Sequence, residues 1–156
     1  MRSPDDWLAI LETVPDPEIP VLNVVEMGIV RGVDCTEGGL TVRITPTYMG
    51  CPAMDAIADD IRSTLGPLAQ EESRNLTVEL VYSPAWTTDW LDDKAQAKLE
   101  AYGIAPPGKT SDKRALQGEA PDIRCPKCKS TDTKLVSLFG STACNCLLYT
   151  SDAADD

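Results

Sequence analysis

Two pairs of cysteines have a spacing that predicts metal chemistry. Cys125-Pro126-Lys127-Cys128 is a C-x-x-C pattern, and Cys144-Asn145-Cys146 follows after fifteen further residues. Two such pairs at this separation are typical of a zinc ribbon, in which four thiolates hold one metal ion. The C-x-C spacing of the second pair is less common in ribbons, so the pattern indicates Cys125 and Cys128 more strongly than Cys144 and Cys146. A thioredoxin-like redox pair is the alternative, but it needs a strand and a helix around it, and this loop-rich segment does not predict them.

A third candidate is the Gly50-Cys51-Pro52 loop. Proline is common at the first position of a helix, so this order predicts Cys51 as the N-cap, where free N–H groups and the helix dipole favour a thiolate. Such a sulfur is a nucleophile or a metal ligand. The alternative is a half-buried cysteine that only packs, and these residues alone leave both interpretations open. Cys35, at the end of a strand, is expected to be structural.

Two carboxylates precede this loop in Asp16-Pro17-Glu18-Ile19-Pro20. The prolines hold the segment extended, so the carboxylates either form a solvated turn or supply oxygen ligands near Cys51. Neighbouring anions disfavour a thiolate unless a metal offsets their charge. The pair therefore needs a metal or a partner to make chemical sense.

The elements that must position these residues follow from apolar spacing and from helix and turn signals. We predict a first helix that begins at Ser3 and ends at Pro15, followed by two strands over 28–35 and 40–44 that a turn at 36–39 joins. A second helix over 53–65 is stopped by Gly66, and a third strand follows over 76–82. The last helix, over 89–102, is capped by Thr88 and stopped by Gly103. The order αββαβα predicts an α/β sandwich in which helices cover one small sheet, followed by a short, incomplete β zinc ribbon.

Charge divides the chain into two parts. Residues 1–105 hold 18 acidic and 7 basic side chains, whereas residues 106–156 hold 7 of each. A Pro-Pro-Gly sequence opens the polar stretch between them, which is typical of a connector. We therefore predict an α/β domain over 1–105, a linker over 106–122 and a partial ribbon over 123–146.

Composition excludes several classes of function. A net charge of -11 disfavours binding to nucleic acid or to anionic membranes. The absence of histidine excludes Ser-His-Asp and Cys-His catalysis and histidine-ligated iron. The chain shows neither a secretory signal nor an apolar run of about 18 residues, so we expect it in the cytoplasm, where cysteines bind metals, react or pack rather than form disulfides.

Four segments together resemble a known family. They are Asp16-Pro-Glu-Ile-Pro, Asn23 to Val30, Thr45 to Pro52 and Val81-Tyr-Ser-Pro-Ala-Trp-Thr. In order and spacing they are similar to the small iron-sulfur assembly domain of cytosolic assembly factors and SufT-like bacterial proteins, over about residues 7 to 103. The resemblance implies an α/β fold, a role in delivering or maturing iron or iron-sulfur centres, and functional weight on four residues, Asp16, Glu18, Thr47 and Cys51.

The segment from Ile123 through Cys144 resembles the ribbon of one branch of that family, the PaaD (PaaJ) subunits of the phenylacetyl-CoA oxygenase system. From about Asn145 the chain departs from this branch. Residues 147–156 resemble a translated adapter sequence joined to a truncated reading frame, although a genuine short tail is the alternative. If the tail is foreign, Cys146 is accidental and the second ligand pair is missing.

The resemblance implies a non-enzymatic factor that assists maturation of the iron or iron-sulfur centres of the phenylacetyl-CoA 1,2-epoxidase of phenylacetate degradation. Cys51 would hold iron or a cluster transiently, and the ribbon would bind zinc structurally. The implied partners are oxygenase or reductase subunits, and a homodimer is also allowed. Two alternatives stay open, a non-catalytic scaffold subunit of that oxygenase and a thiol transferase with Cys51 as nucleophile. The transferase would have only carboxylates as bases, which is a poor arrangement near pH 7.

Overall fold

The computed structural model describes residues 1–106, 123–137 and 147–150, and its contacts divide the chain into two units, Met1–Trp86 and Thr87–Asp156. The helices and strands are α1 (Pro4–Leu11), β1 (Val30–Cys35), β2 (Gly39–Ile44), α2 (Ala53–Glu71), β3 (Asn75–Leu80), α3 (Asp93–Tyr102), β4 (Thr133–Ser137) and β5 (Leu147–Thr150). A 3-10 turn at Thr88–Trp90 precedes α3. Within the described ranges, no helix is both long and apolar enough to cross a membrane.

The first unit is built on a three-stranded sheet with the order β1-β2-β3. Strands β1 and β2 are antiparallel and β2 and β3 are parallel. The antiparallel pair is joined by a tight turn in which the N–H of Thr36 donates to the carbonyl of Gly39 at 2.9 Å. A parallel pair needs a crossover connection, and α2 provides it. The predicted hairpin and the αββαβα order are confirmed.

The core lies on the face of the sheet that α1 and α2 cover. Strand β2 alternates between buried and half-exposed residues, because successive side chains of a strand point to opposite faces. Helix α1 contributes Trp7 and Leu11, and α2 contributes a stripe at helical spacing. The fully buried aliphatic side chains of these elements include Leu11, Leu40, Val42, Ile44, Ile57, Ile61 and Leu65.

The start of α1 agrees with the prediction. The hydroxyl of Ser3 accepts from the N–H of Asp6 at 3.3 Å, and the Asp6 carboxylate accepts from the N–H of Ser3 at 2.7 Å. This reciprocal capping box satisfies two N–H groups that the helix leaves without partners. The N–H of Ser3 also stabilises the charged carboxylate, which lowers the pKa of Asp6 below its ordinary value.

The predicted end of the second helix was wrong. Helix α2 continues through Gly66 and Pro67 to Glu71. An end at Gly66 would remove Leu68 and Ala69 from the helix, where Ala69 is buried and Leu68 half-buried. Burial of these side chains outweighs the weak helix preference of glycine and of proline. The Pro67 residue itself is exposed, so its ring faces solvent.

The predicted start of the last helix was also wrong. Thr87 caps the short 3-10 turn, Leu91 is extended and buried, and α3 begins only after Asp92. The Asp92 carboxylate accepts from the N–H of Ala95 at 2.7 Å and therefore caps α3. The predicted stop is confirmed, because Gly103 lies in the left-handed region with φ 95°.

In the second unit, β4 and β5 form an antiparallel pair. A two-stranded antiparallel sheet next to a C-x-x-C turn is the architecture expected of a ribbon. Residues 107–122, which include most of the predicted linker, lie outside the described residues, as do residues 138–146 and 151–156. The predicted domain boundaries and the foreign origin of residues 147–156 therefore stay predictions.

Candidate functional site

The loop that carries Asp16 is organised around the carboxylate of that residue. Asp16 is only 5% exposed, and its Oδ1 accepts from the N–H of Glu18 at 2.9 Å and from the N–H of Ile19 at 2.7 Å. The carboxylate thus satisfies two N–H groups that the prolines of this segment keep out of regular structure. Asp16 holds the loop in shape, and Glu18 stands half-buried on it.

This loop is connected to the sheet by backbone hydrogen bonds. The N–H of Val24 donates to the carbonyl of Val14 at 3.0 Å, and the N–H of Val30 donates to the carbonyl of Val24 at 3.1 Å. On the next strand the N–H of Thr45 donates to the carbonyl of Ile29 at 2.9 Å. The Asp16 loop and the loop that follows β2 therefore leave the sheet at the same end.

The segment after β3 returns to this same end. The N–H of Val81 donates to the carbonyl of Ile44 at 2.8 Å, so β3 ends beside the end of β2. Further on, the indole Nε1 of Trp86 donates to the carbonyl of Met27 at 2.7 Å. The four segments that carry the family resemblance, which are far apart along the chain, are thus neighbours at one end of the sheet.

The loop with Cys51 differs from the prediction in one respect. The N-cap of α2 is Pro52, not Cys51, and it makes no side-chain capping bond. Gly50 has φ 80°, and the N–H of Cys51 donates to the carbonyl of Tyr48 at 3.3 Å. After this turn, the helix begins one residue later than a cap at Cys51 would require. The prediction of Cys51 as N-cap was therefore wrong, and the half-buried Cys51 lies one position before the cap.

Thr47 lies in the same loop and has an unusual hydroxyl. Its Oγ1 is buried and has no hydrogen-bond partner among the described residues. A buried hydroxyl without a partner costs free energy and calls for an explanation such as a ligand, an ion or an unseen water. Thr47 therefore offers an unused hydrogen-bonding group four residues before the Cys51 thiol.

The structure brings these candidates to one end of the sheet but not into a complete metal site. Within the described ranges, no three cysteine or acidic side chains come together as a group that could hold a metal ion. At this end the described residues include the Cys51 thiol, the Thr47 hydroxyl without a partner and the half-buried carboxylates of Glu18 and Glu26. These groups are too few to hold a metal ion permanently, and they suit a ligand whose metal is already coordinated by other atoms.

Two further residues, which the sequence interpretation did not single out, shape the site. Asn23 caps a turn, with its Oδ1 accepting from the N–H groups of Val25 at 3.0 Å and Glu26 at 2.8 Å. Its signal in the sequence is the Asn-x-x-Glu pattern of a capping box. The other is Trp86, whose indole N–H needs a partner when it is partly buried. No local pattern names Met27 as that partner.

The C-x-x-C motif of the second unit forms a tight turn. The N–H of Cys125 donates to the carbonyl of Ser130 at 2.9 Å, and the N–H of Lys129 donates to the carbonyl of Cys125 at 3.0 Å. Lys129 has φ 62°, a left-handed conformation that closes the turn. Cys125 is half-buried and Cys128 exposed, and neither forms a disulfide within the described part of the chain. The donor set suits zinc, but it is half of the four ligands that a structural site needs.

The remaining cysteines differ in what the structure describes of them. Cys144 and Cys146 lie outside the described residues, so their part in a metal site stays a prediction. Cys35 ends β1 at the opposite end of the sheet from Cys51 and is half-buried. Burial raises the pKa of the Cys35 thiol above its ordinary value, which favours the protonated form.

Comparisons with known proteins identify both units. The family described as "Iron-sulfur cluster assembly protein" matches residues 5–78, and the "PaaD zinc beta ribbon domain" matches residues 109–152. A crystal structure of a domain of unknown function, DUF59, from Bacillus anthracis superposes with a TM-score of 0.56 at 27% identity, covering 62% of this chain and 90% of that chain. The first unit thus has the DUF59 fold, a small mixed α/β domain.

Two curated relatives are similar over most of their own length. An Escherichia coli protein whose name describes it as a subunit of 1,2-phenylacetyl-CoA epoxidase is 42% identical over 139 residues, covering 89% of this chain and 81% of the relative. "Fe-S protein maturation auxiliary factor YitW" of Bacillus subtilis is 38% identical, covering 61% and 91%. The chain belongs to the iron-sulfur cluster assembly protein family and carries a PaaD zinc ribbon domain. The Bacillus relative is named an auxiliary factor and not a catalytic enzyme, which agrees with the predicted accessory role.

Proposed function

We propose that this protein is an accessory factor that assists maturation of the iron or iron-sulfur centres of a phenylacetyl-CoA epoxidase. The observation that carries the proposal is the Thr47 hydroxyl, which is buried without a partner among the described residues, in the loop that presents Cys51. Support comes from two sides, because one relative is named as part of that epoxidase and another as a maturation auxiliary factor for iron-sulfur proteins.

In the proposed mechanism the iron or cluster is the cargo. The Cys51 thiolate binds it, since a soft sulfur ligand suits iron-sulfur centres better than magnesium or calcium. The Thr47 hydroxyl donates a hydrogen bond to a sulfide of a bound cluster or, when iron alone is bound, to the Cys51 sulfur, which satisfies the hydroxyl only in the loaded state. Asp16 fixes the loop that carries Glu18, and Glu18 offers an oxygen ligand beside the thiolate. A site with so few protein ligands releases its cargo readily to a client protein that offers more ligands.

The second unit has a different proposed role. Cys125 and Cys128 would hold a zinc ion together with ligands from the segment that contains Cys144 and Cys146. Zinc would supply a structural cross-link between the C-x-x-C turn and the β4–β5 pair. The ribbon would then dock oxygenase or reductase subunits, with the ion pair between Lys129 and Glu100 holding the turn next to α3 within the second unit.

The delivery function is tested by reconstituting the epoxidase from its metal-free subunits with the full chain. Iron incorporated into the oxygenase subunit is measured for the unaltered chain, for Cys51→Ala and for Cys35→Ala as the matched control. We expect Cys51→Ala to lower the rate of iron loading at least tenfold and Cys35→Ala to leave it unchanged. Equal loading with Cys51→Ala would reject delivery, and if the complex still assembled it would favour a scaffold subunit.

The zinc proposal has its own test. The full chain, purified in reducing buffer, is analysed for bound zinc alongside Cys128→Ser and Cys35→Ser. If Cys144 and Cys146 complete the site, we expect about one zinc per chain, lost in Cys128→Ser and retained in Cys35→Ser. If residues 147–156 are foreign and the site is incomplete, as the sequence predicts, we expect little or no bound zinc. A chain without zinc would refute a working site here, whatever the result of the iron-loading experiment.

A further inference from the structure

The two edges of the three-stranded sheet differ in how they are protected. On the β1 edge, the pairing with β2 is interrupted by a bulge between Val30 and Gly32, and Arg31 and Asp34 expose charged side chains. Bulges and charges of this kind prevent another strand from pairing with an edge. Strand β3 pairs with β2 over six consecutive residue pairs and contains neither a bulge nor a proline. We call this side of β3 the open edge.

The backbone of β3 presents hydrogen-bonding groups on the open edge. Asn75 and Val81 donate their N–H groups toward the β2 side at 2.9 and 2.8 Å. Because N–H groups alternate in direction along a strand, those of the even-numbered residues between them point away from β2. They belong to Leu76, Val78 and Leu80. In the described part of the chain, no hydrogen bond satisfies these three N–H groups.

The side chains of the same three residues form an apolar strip. Each is paired in register with a residue of β2 that is 2% exposed or less. On β3, however, Leu76 and Val78 are only half-buried, and Leu80 is 42% exposed. Two residues further on, Tyr82 is 55% exposed. Although α2 packs against β3, the strip along β3 is therefore less covered than the paired residues of β2.

Charge decides what kind of strand could pair here. Glu79 lies on β3 opposite Arg43, but the guanidinium of Arg43 forms an ion pair with Asp34 instead. Glu79 has no ion pair among the described residues. It stands in a segment, residues 1–105, that carries 18 acidic and 7 basic side chains. A second copy of the chain would bring another Glu79 against this charge, whereas a basic segment would offset it.

We propose that the open edge of β3 binds an extended, basic segment of a partner protein as a fourth strand of the sheet. Main-chain hydrogen bonds to Leu76, Val78 and Leu80 give the affinity, aliphatic side chains of the segment cover the strip, and a lysine or arginine faces Glu79. The proposal concerns protein binding alone and holds whether or not Cys51 carries iron.

The probe is a capped eight-residue peptide of alternating lysine and valine, with a glutamate and valine peptide as its charge-reversed control. Binding to the full chain is measured by calorimetry, and amide hydrogen exchange is followed by NMR. We expect the lysine peptide to bind at least tenfold more tightly at low salt and to slow exchange at Leu76, Val78 and Leu80. Equal binding of both peptides, or no slowing at these amides, would overturn the proposal.

Two variants locate the binding to the edge. Val78→Pro removes an N–H that faces away from β2, so the sheet keeps its ladder while peptide affinity falls at least tenfold. If Val78→Pro does not fold, Glu79→Lys serves instead and should reverse the preference between the two peptides. Glu37→Lys, in the hairpin turn at the other end of the sheet, is the charge-matched control and should keep it. If the chain instead forms dimers that Val78→Pro abolishes, a second copy occupies the edge and the proposal is wrong.

Discussion

The indole nitrogen of Trp86 donates a 2.7 Å hydrogen bond to the carbonyl oxygen of Met27, 59 residues earlier in the chain. This one bond joins the segment that follows β3 to the segment that precedes β1. It closes the end of the sheet where the Asp16 loop and the Cys51 loop also emerge. The position of the candidate site therefore depends on a contact between distant segments.

Trp86→Phe should destabilise this end of the sheet. Phenylalanine keeps an aromatic ring but lacks the N–H, so the carbonyl of Met27 loses its partner and the free energy of unfolding falls by about 1 kcal/mol. Urea unfolding measures the change. Tyr82→Phe, at an exposed aromatic residue, is the control and should stay within about 0.5 kcal/mol of the unaltered chain. An equal effect of the two substitutions would contradict a specific role of the indole bond.

Substitutions at Asp16 should separate its acceptor role from its charge. Asp16→Ala leaves the partly buried N–H of Glu18 and the buried N–H of Ile19 without a partner, so the free energy of unfolding falls by about 2 kcal/mol. Asp16→Asn keeps an oxygen acceptor and should cost less than half as much. Both values come from urea unfolding. If Asp16→Asn were as harmful as Asp16→Ala, the charge and not the acceptor geometry would hold the loop.

Thr47→Val should have opposite effects on stability and function. Valine has nearly the same shape and lacks the buried hydroxyl without a partner, so unfolding should need the same free energy or up to about 1 kcal/mol more. Under the proposed function, iron loading of the epoxidase should nevertheless fall. Thr13→Val removes a hydroxyl that donates to the carbonyl of Ile10 at 2.7 Å and should lower stability slightly. A destabilised Thr47→Val protein would show that the hydroxyl has a structural partner.

Two glycine substitutions should change stability in opposite directions. A Cβ on Gly66 or on Gly103 would meet no atom within 4 Å beyond its chain neighbours and, for Gly66, the nearby backbone of its own helix, but only Gly103 has a positive φ, at 95°. Gly66→Ala, inside α2, should raise the free energy of unfolding by less than the about 0.5–1 kcal/mol of an ordinary helical position, because the ring of Pro67 crowds a Cβ on the preceding residue. Gly103→Ala forces a left-handed conformation on alanine and should lower it by about 1–2 kcal/mol. Thermal unfolding of both variants tests whether α2 indeed continues past Gly66.

Cys35 should make the fold sensitive to alkaline pH. Burial raises the pKa of its thiol in the folded state, so the unfolded chain loses this proton at a lower pH than the folded chain. The protonated Cys35 thiol therefore contributes to stability at pH values below the pKa of this thiol in the unfolded chain, about 8.5. The contribution is lost as the pH rises through the higher pKa of the thiol in the folded chain. Urea unfolding between about pH 7 and 10 should show a decline that is shallower in Cys35→Ala. At about pH 8, iodoacetamide should alkylate Cys35 more slowly than a free thiol.

Features that depend on neighbouring residues could be predicted from the sequence. The Ser3 and Asp6 capping box, the hairpin turn at 36–39 and the stop at Gly103 involve bonds between residues a few positions apart, so their signals are local. The α/β order follows from apolar periodicity for the same reason. Local patterns indicate Cys51, Asp16 and Glu18 as candidates, whereas Thr47 is implied only by the family resemblance, and the functional roles of all four remain proposals.

Features that depend on distant segments were decided by the tertiary structure. Helix α2 passes Gly66 because Leu68 and Ala69 gain burial, and α3 starts late because Leu91 is buried in an extended conformation. Sequence patterns name the motifs, but only packing and hydrogen bonds across the sheet place them at one end. The physical reason is that burial and long-range hydrogen bonds compete with local preferences of similar size.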